Sequence, residues 1–354
     1  MAAFDMNFPT QQIIEGYVLK HVFDKDKFIS PKLGFGVDDS SVNSPTMVEW
    51  DVLEPVSGMT NLSALDAEPV VINNRVRKTV AYAPLFFKEQ ILIGESKLIN
   101  ARKLGSQNER AGADLIFDAL DTINMRIDTL IEYSNLQTLL GKFKWNGRVK
   151  ADYGFAADQL PDVSTTAGYG GNYWDSNSSG HECQPLQDIA KASEALRYKG
   201  VYGITLVMDI KVMQKLCNAV SVRDLLKQST YAVYLGTQQL QQFLPGMVGC
   251  GIDEVIVSDQ GYLGDDGNGV PFVPDKYCFL VGKTRDGKLG DFKSTPNVYN
   301  GYENGQAKAG RFVILNNEYM NTNGAVPRIT VTGGIYGLPV LYRPDLVVAM
   351  KVLS

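Results

Sequence analysis

Histidine is nearly missing from this sequence: His21 and His181 are the only two in 354 residues. A triad built on imidazole, or a metal site with several histidines, is therefore not expected. Cysteine is sparse as well. Cys183, Cys217, Cys250 and Cys278 stand 34, 33 and 28 residues apart, with no close pair to form a zinc site or a disulfide framework, so they read as free thiols of a reducing cytoplasm. No apolar run approaches the roughly 18–20 residues that span a bilayer. The opening MAAFDMNFPTQQ lacks both the basic and the apolar region of a signal peptide, and secretion is not expected. Surplus positive charge is absent too: 34 Lys and Arg against 39 Asp and Glu give a net charge of −5. That balance argues against an avid, non-specific grip on nucleic acid but allows a container that encloses it.

Enzyme motifs are missing in the same way. VGKT at 281–284 resembles the end of a phosphate-binding loop, but Tyr277 stands where the loop needs glycine. No G-x-S-x-G occurs. HEC at 181–183 lacks the second cysteine element of a zinc deaminase. DDGNG at 265–269 has wrong ligand spacing for a calcium loop and reads as a hairpin turn, with Asn268 and Gly269 expected at positive φ. No catalytic, cofactor-binding or metal-ligating residue is assigned.

What is present is an ordinary folded composition, 44% hydrophobic and 21% charged, over a length that suggests two or three units. Residues 1–46 read as an arm, with one short amphipathic helix in TQQIIEGYVLKHVF and then Pro and Gly punctuation. MVEWDVLEPV and NRVRKTVAYAP alternate as strands of a long hairpin over 47–93 that projects from the body. A helix is predicted over 107–140, opened by a capping box at Ser106 and Glu109 and closed by Gly141 with Lys142 and Lys144 behind it. At about 1.5 Å per residue it is about 50 Å long, more than most compact domains need. Helices and buried strands then alternate (PLQDIAKASEALRYKG, ITLVMD, VMQKLCNAVSVRDLLKQ, DEVIVSD, KYCFLVG), and PRITVTGGIYGLPVLYRPDLVVAMKVLS reads as two strand-like runs around a Gly/Pro turn.

The long helix carries a stripe of carboxylates. At about 100° per residue, Asp114, Asp118, Asp121, Asp128 and Glu132 fall within an arc of roughly 80°, opposite Ile116, Ala119, Leu120, Ile123, Ile127, Leu130 and Ile131. Such a stripe could bind metal or run acid–base chemistry, and a carboxylate-dependent hydrolase that loses its metal on Asp118→Asn or Asp121→Asn is one reading. A solvated or salt-bridged face accounts for it more simply, since like charges four residues apart cost only about 0.2–0.5 kcal/mol. Past Glu132 the phase inverts: Ser134, Gln137 and Thr138 replace the apolar side and Leu136, Leu139 and Leu140 move toward the acidic one. One helix packed on different partners along its length suits a shell subunit better than an enzyme core.

Several stretches resemble the major capsid proteins of tailed bacteriophages, of the Hong Kong ninety-seven fold and its lambda-type branch. LEPVSG (53–58) is similar to the start of the family's extended hairpin, RVRKTVAYAPLFFKEQIL (75–92) to its return strand, and IEYSNLQTLLGKFKWNG (131–147) to the end of its spine helix. IVSDQGYLGDDGNGVPFVPDKYCFLVG (256–282) and GLPVLYRPDLVVAMKV (337–352) resemble its later hairpin and final strand. The resemblance implies an α+β fold with an N-terminal arm (1–46), an extended β-hairpin (47–93), a peripheral domain (94–175 with 326–354, spine helix 107–140) and an α/β axial domain (176–325). It implies a non-enzymatic shell protein whose copies form hexamers and pentamers around double-stranded DNA, in virions assembled in the host cytoplasm. Scaffold, portal and decoration proteins are implied partners, and no membrane is. A non-viral nanocompartment shell of the same fold is the alternative. Some relatives weld their shells through a hairpin lysine; none lies between Met47 and Arg77, so no cross-link is expected. Candidate contacts between subunits are Trp50, Glu54, Arg75, Arg77, Lys78, Asp118, Asp121, Asp128, Asp265, Asp266 and Asn268, the basic hairpin root meeting acidic residues next door and the tip at 265–269 meeting its copies around a capsomer axis.

Overall fold

Two sheets and one long helix organise the chain. The computed structural model describes residues 9–21, 23–24, 26–40, 44–54, 77–94, 97, 112–176, 183–228, 251–285, 287–303, 306–317 and 328–354. Arg75, His181, Cys250, the capping box at Ser106 and Glu109, and the span joining the two hairpin strands fall outside these residues.

The first sheet is five-stranded: β1 (Phe35–Asp38), β12 (Gly290–Ser294), β16 (Arg328–Leu341) and β15 (Phe312–Asn317) in that order, with β4 (Leu85–Gly94) also paired to β16. β16 runs 14 residues without a break, so the turn expected in this stretch comes only at Tyr342 to Leu346. Its glycines serve close approach instead. A Cβ on Gly334 would sit 2.1 Å from the Phe87 carbonyl oxygen, and one on Gly337 would sit 2.4 Å from that of Lys293. β16 buries both faces by alternation: Ile329, Val331 and Ile335 meet the long helix, while Leu338 and Val340 enter a second core.

The second sheet has the order β17 (Val347–Lys351), β11 (Tyr277–Lys283), β7 (Gly203–Asp209), β8 (Ile252–Ser258). Alternate residues again divide: Val207, Phe279, Val281, Val347 and Ala349 face the core shared with the first sheet. Leu206, Met208, Cys278, Leu280, Val348 and Met350 face a third core, filled by helices α3 (Pro185–Glu194), α4 (Ile210–Asn218) and α5 (Val220–Gln228). A sheet covered on both faces reads as continuous apolar runs, which is why ITLVMD and KYCFLVG lack a polar alternation. β7 and β8 are parallel, as a helical crossover between them requires.

Sheet membership cuts across the sequence-based division. β12 and β15 come from the stretch read as the axial domain but lie in the first sheet, and β17, read with the peripheral domain, lies in the second. For β17 the cause is the tight turn after Leu341, which delivers the chain from the first sheet to the second within a few residues.

The arm helix α1 (Gln11–Lys20) and the long helix α2 (Gly112–Thr138) cover the first sheet. α2 ends where expected: Gly141, at φ 77°, closes it, and a Cβ there would clash with the Phe155 ring at 2.7 Å. The hairpin strands β2 (Val48–Leu53) and β3 (Arg77–Tyr82) pair antiparallel, followed later by the hairpins β5 (Lys142–Trp145) with β6 (Arg148–Asp152) and β9 (Gly261–Leu263) with β10 (Gly269–Pro271).

Candidate functional site

The carboxylates of α2 are bound mainly by the chain's own arm. Tyr17 donates its hydroxyl to Asp121 at 2.7 Å, and this hydrogen bond raises the phenol's pKa above its ordinary value. One face further along, His21 Nε2 lies 2.8 Å from Asp128, whose other oxygen is held by Arg311. At the next turn Glu132 accepts the backbone N–H groups of Ile29 at 2.9 Å and Ser30 at 3.0 Å, together with the Ser30 hydroxyl. Glu132 is fully buried. Burial pushes its carboxyl pKa up, against the opposing pull of the Ser30 and Ile29 donors.

Apolar packing runs beside these bonds. Ile14 and Val18 of α1 join Ile116, Leu120, Ile123, Ile127 and Ile131 in the core of the first sheet. Phe23 stacks on Phe28 at 4.8 Å, and Phe28 reaches Phe272 edge-on at 6.4 Å. The expectation of a solvated or salt-bridged face holds for Asp128, which is 7% exposed and paired with Arg311, and is corrected for Glu132, which is 0% exposed and held by backbone and hydroxyl donors. Asp114 and Asp118 remain exposed. The inversion of phase after Glu132 reflects a helix that leaves one core and enters another, with Ser134, Asn135, Leu136, Thr138 and Leu139 all buried. Ser30 and Arg311 were not singled out from the sequence, and His21 stood out there only as one of two histidines. The one signal available was that an arm with one short amphipathic helix precedes a helix with a charged stripe.

The hairpin root is anchored on the body. Trp50 is 3% exposed, stacks on Tyr82 at 5.9 Å and donates its indole N–H to the Leu341 carbonyl at 3.1 Å. Its surface is thereby taken up within its own chain. Glu54, Arg77 and Lys78 are exposed, with Arg77 4.0 Å from Asp51.

The tip at 265–269 folds back beside α2. Asp266 accepts from the Asn268 backbone at 3.1 Å and side chain at 2.8 Å, so both residues shape the turn. The positive φ falls on Gly267 at 78° rather than on Asn268 or Gly269, because the Asp266 carboxylate holds the backbone of Asn268. Asp265 lies 3.9 Å from Arg126, which is clasped by Glu89 through two bonds of 2.6 and 2.8 Å. Between this hairpin, α2 and β4 lies a cavity of about 500 Å³ lined by Phe87, Tyr133, Trp145 and Tyr262 among others.

Among the described residues no group of three or more His, Cys, Asp and Glu side chains is placed to hold a metal ion, and no helix is long and apolar enough to cross a membrane. Cys183 and Cys278 are buried and Cys217 is half-buried; burial pushes the Cys278 thiol up.

A family model described as phage major capsid protein E matches residues 33–352. A prophage capsid protein of E. coli CFT073 is similar over 97% of this chain and 99% of its own, at 14% identity and a TM-score of 0.57. A phage-related protein from Bordetella bronchiseptica RB50 covers 98% of each chain at 10% identity, with a TM-score of 0.49. The SrpI encapsulin of Synechococcus elongatus PCC 7942 is matched over 99% of this chain and 91% of its own, at 11% identity and a TM-score of 0.42. Among curated protein sequences nothing matches.

Proposed function

From the premise that the chain belongs to the phage major capsid protein E family, we propose that its copies join as hexamers and pentamers into an icosahedral shell enclosing double-stranded DNA. Family membership makes it a shell-forming capsid protein of a tailed phage, with the Hong Kong ninety-seven fold. The match over residues 33–352 carries the reading, because it takes in both sheets, α2 and the hairpin root together. Scaffold, portal and decoration proteins are the further partners of such a shell, and assembly in the host cytoplasm is its setting.

Within a capsomer, the unit around α2 and the first sheet serves as the peripheral part, and the second sheet with its three helices as the axial part. The hairpin rooted at Trp50 lies across the adjacent subunit, with Arg75, Arg77 and Lys78 facing acidic residues there and Glu54 a further contact. The net charge of −5 supports a container that lets DNA pack and leave, since a strong phosphate grip would oppose release.

Electron microscopy of the purified protein tests this directly. Closed particles are expected, and particles isolated from infected cells should hold nuclease-resistant DNA with a nucleic-acid absorbance ratio. Open aggregates or monomers alone would sink the shell, while closed particles filled with a co-purifying enzyme would overturn the genome as cargo.

A further inference from the structure

Opposite charge without an ion pair sits at the two ends of α2. Beyond its C-terminal end, the β5–β6 hairpin (KFKWNGRVKAD) turns at Asn146 and Gly147, at φ 49° and 73°. Lys142 pairs with Asp152 at 3.1 Å. Lys144, Arg148 and Lys150 form no ion pair among the described residues, and Lys144 and Arg148 are exposed beside Val149, itself 52% exposed. Near the other end, Asp114 and Asp118 are exposed one turn apart and likewise form no ion pair among the described residues. The helix dipole accounts for Asp114 in the first turn but not for Asp118, where that effect has faded, nor for cations placed on a separate hairpin.

Asp114 and Thr138 are about 36 Å apart along the axis at 1.5 Å per residue, so the two surfaces of one chain cannot meet. We propose that the β5–β6 hairpin of one copy docks on the Asp114 and Asp118 end of α2 in a second copy, head to tail. The contact is heterologous: each copy offers a different surface at either side, and a rotation that closes gives a ring rather than a pair. This inference rests on the shell reading above and names one of its contacts. A protein partner fits better than a phosphate backbone because Val149 lies exposed among the cations and the chain as a whole is acidic. Complementary charge of this kind fixes register and steers encounter.

The test uses full-length protein carrying Lys144→Glu with Arg148→Glu. Both positions are exposed, so an unchanged melting curve is expected and checks the fold. At about 0.1 M salt, where exposed charges still act over about 10 Å, closed particles should fall about tenfold or more. Adding Asp114→Lys with Asp118→Lys to the same chain should restore them, because head-to-tail copies then regain opposite charges. Normal assembly of the first variant overturns the proposal, and so does a charge-swapped variant that fails to recover. Normal particles holding less DNA would overturn it in favour of a genome contact. Failure of the unaltered chain to form particles would strike the shell reading instead.

Discussion

The two halves of α2 are held by different means, and Asp128 and Glu132, one turn apart, mark the boundary. Up to Asp128 the helix presents one apolar face to the first sheet, while its polar face is clasped by the arm and by Arg311. Beyond Ile131 it is enclosed, with Leu136 and Leu139 inside the core shared by both sheets. The carboxylates follow suit. Asp128 is buried with the Arg311 guanidinium on one oxygen and the His21 imidazole on the other, whereas Glu132 is buried with backbone and hydroxyl donors alone. A buried ion pair is strongly destabilised when one partner is lost; a buried lone carboxylate already carries a desolvation penalty that its hydrogen bonds only partly offset. The first half thus lies on the first sheet with the arm across its polar face, and the second half is enclosed with Glu132 tying the end of the arm to it.

The largest test of this contrast is Ile123→Asp. Ile123 is 1% exposed against the first sheet, and an unpaired carboxylate there should leave no soluble folded subunit; a melting curve like that of the unaltered protein would reverse the assigned orientation of the helix. Leu136→Ala comes next, expected to lower global stability by about 2–5 kcal/mol through the cavity it opens. Urea unfolding would show it as a shifted midpoint, with the arm lost only when the body is. Glu132→Ala leaves the Ile29 and Ser30 donors without their acceptor at about 1–3 kcal/mol. It should speed protease cleavage within residues 9–30 more than it moves the urea midpoint; equal shifts in both would erase the distinction between the halves.

Glu132→Gln sharpens the same point through pH. The folded carboxyl pKa is raised by burial, so the group binds its proton more tightly folded than unfolded. Its stability contribution is fully present below the unfolded value of about 4.3 and is lost as pH rises through the raised folded value. Relative to Glu132→Gln, the unaltered protein should therefore lose stability on going from acid to neutral pH, and a flat difference would contradict the assignment. The smallest effect is expected from Tyr17→Phe, about 0.5–1.5 kcal/mol for one exposed hydrogen bond to Asp121.

Much of this was legible beforehand. The apolar side of α2, its stop at Gly141 and the strands at 48–53 and 77–82 follow from period and turn chemistry. The partners of the acidic stripe do not, because Glu132 meets Ser30 across 102 residues of chain and no local pattern encodes that meeting. The glycines of β16 misled for a related reason. Glycine marks a turn when its backbone bends and a close approach when a neighbour crowds it, and only the neighbours Phe87 and Lys293 tell which. The hairpin tip at 265–269 kept its turn but lies beside its own helix. Its Asp265 side chain stays exposed while lying 3.9 Å from Arg126.

The path of residues 328–351 also sets a clock. β16 pairs with β4, β12 and β15 in the first sheet, and β17 completes an edge of the second. During synthesis these strands leave the ribosome after every other strand described, so neither sheet can close on a nascent chain. A chain cut before Arg328 lacks the strand that joins β4, β12 and β15, and of the first sheet only the β1–β12 pairing is left to it.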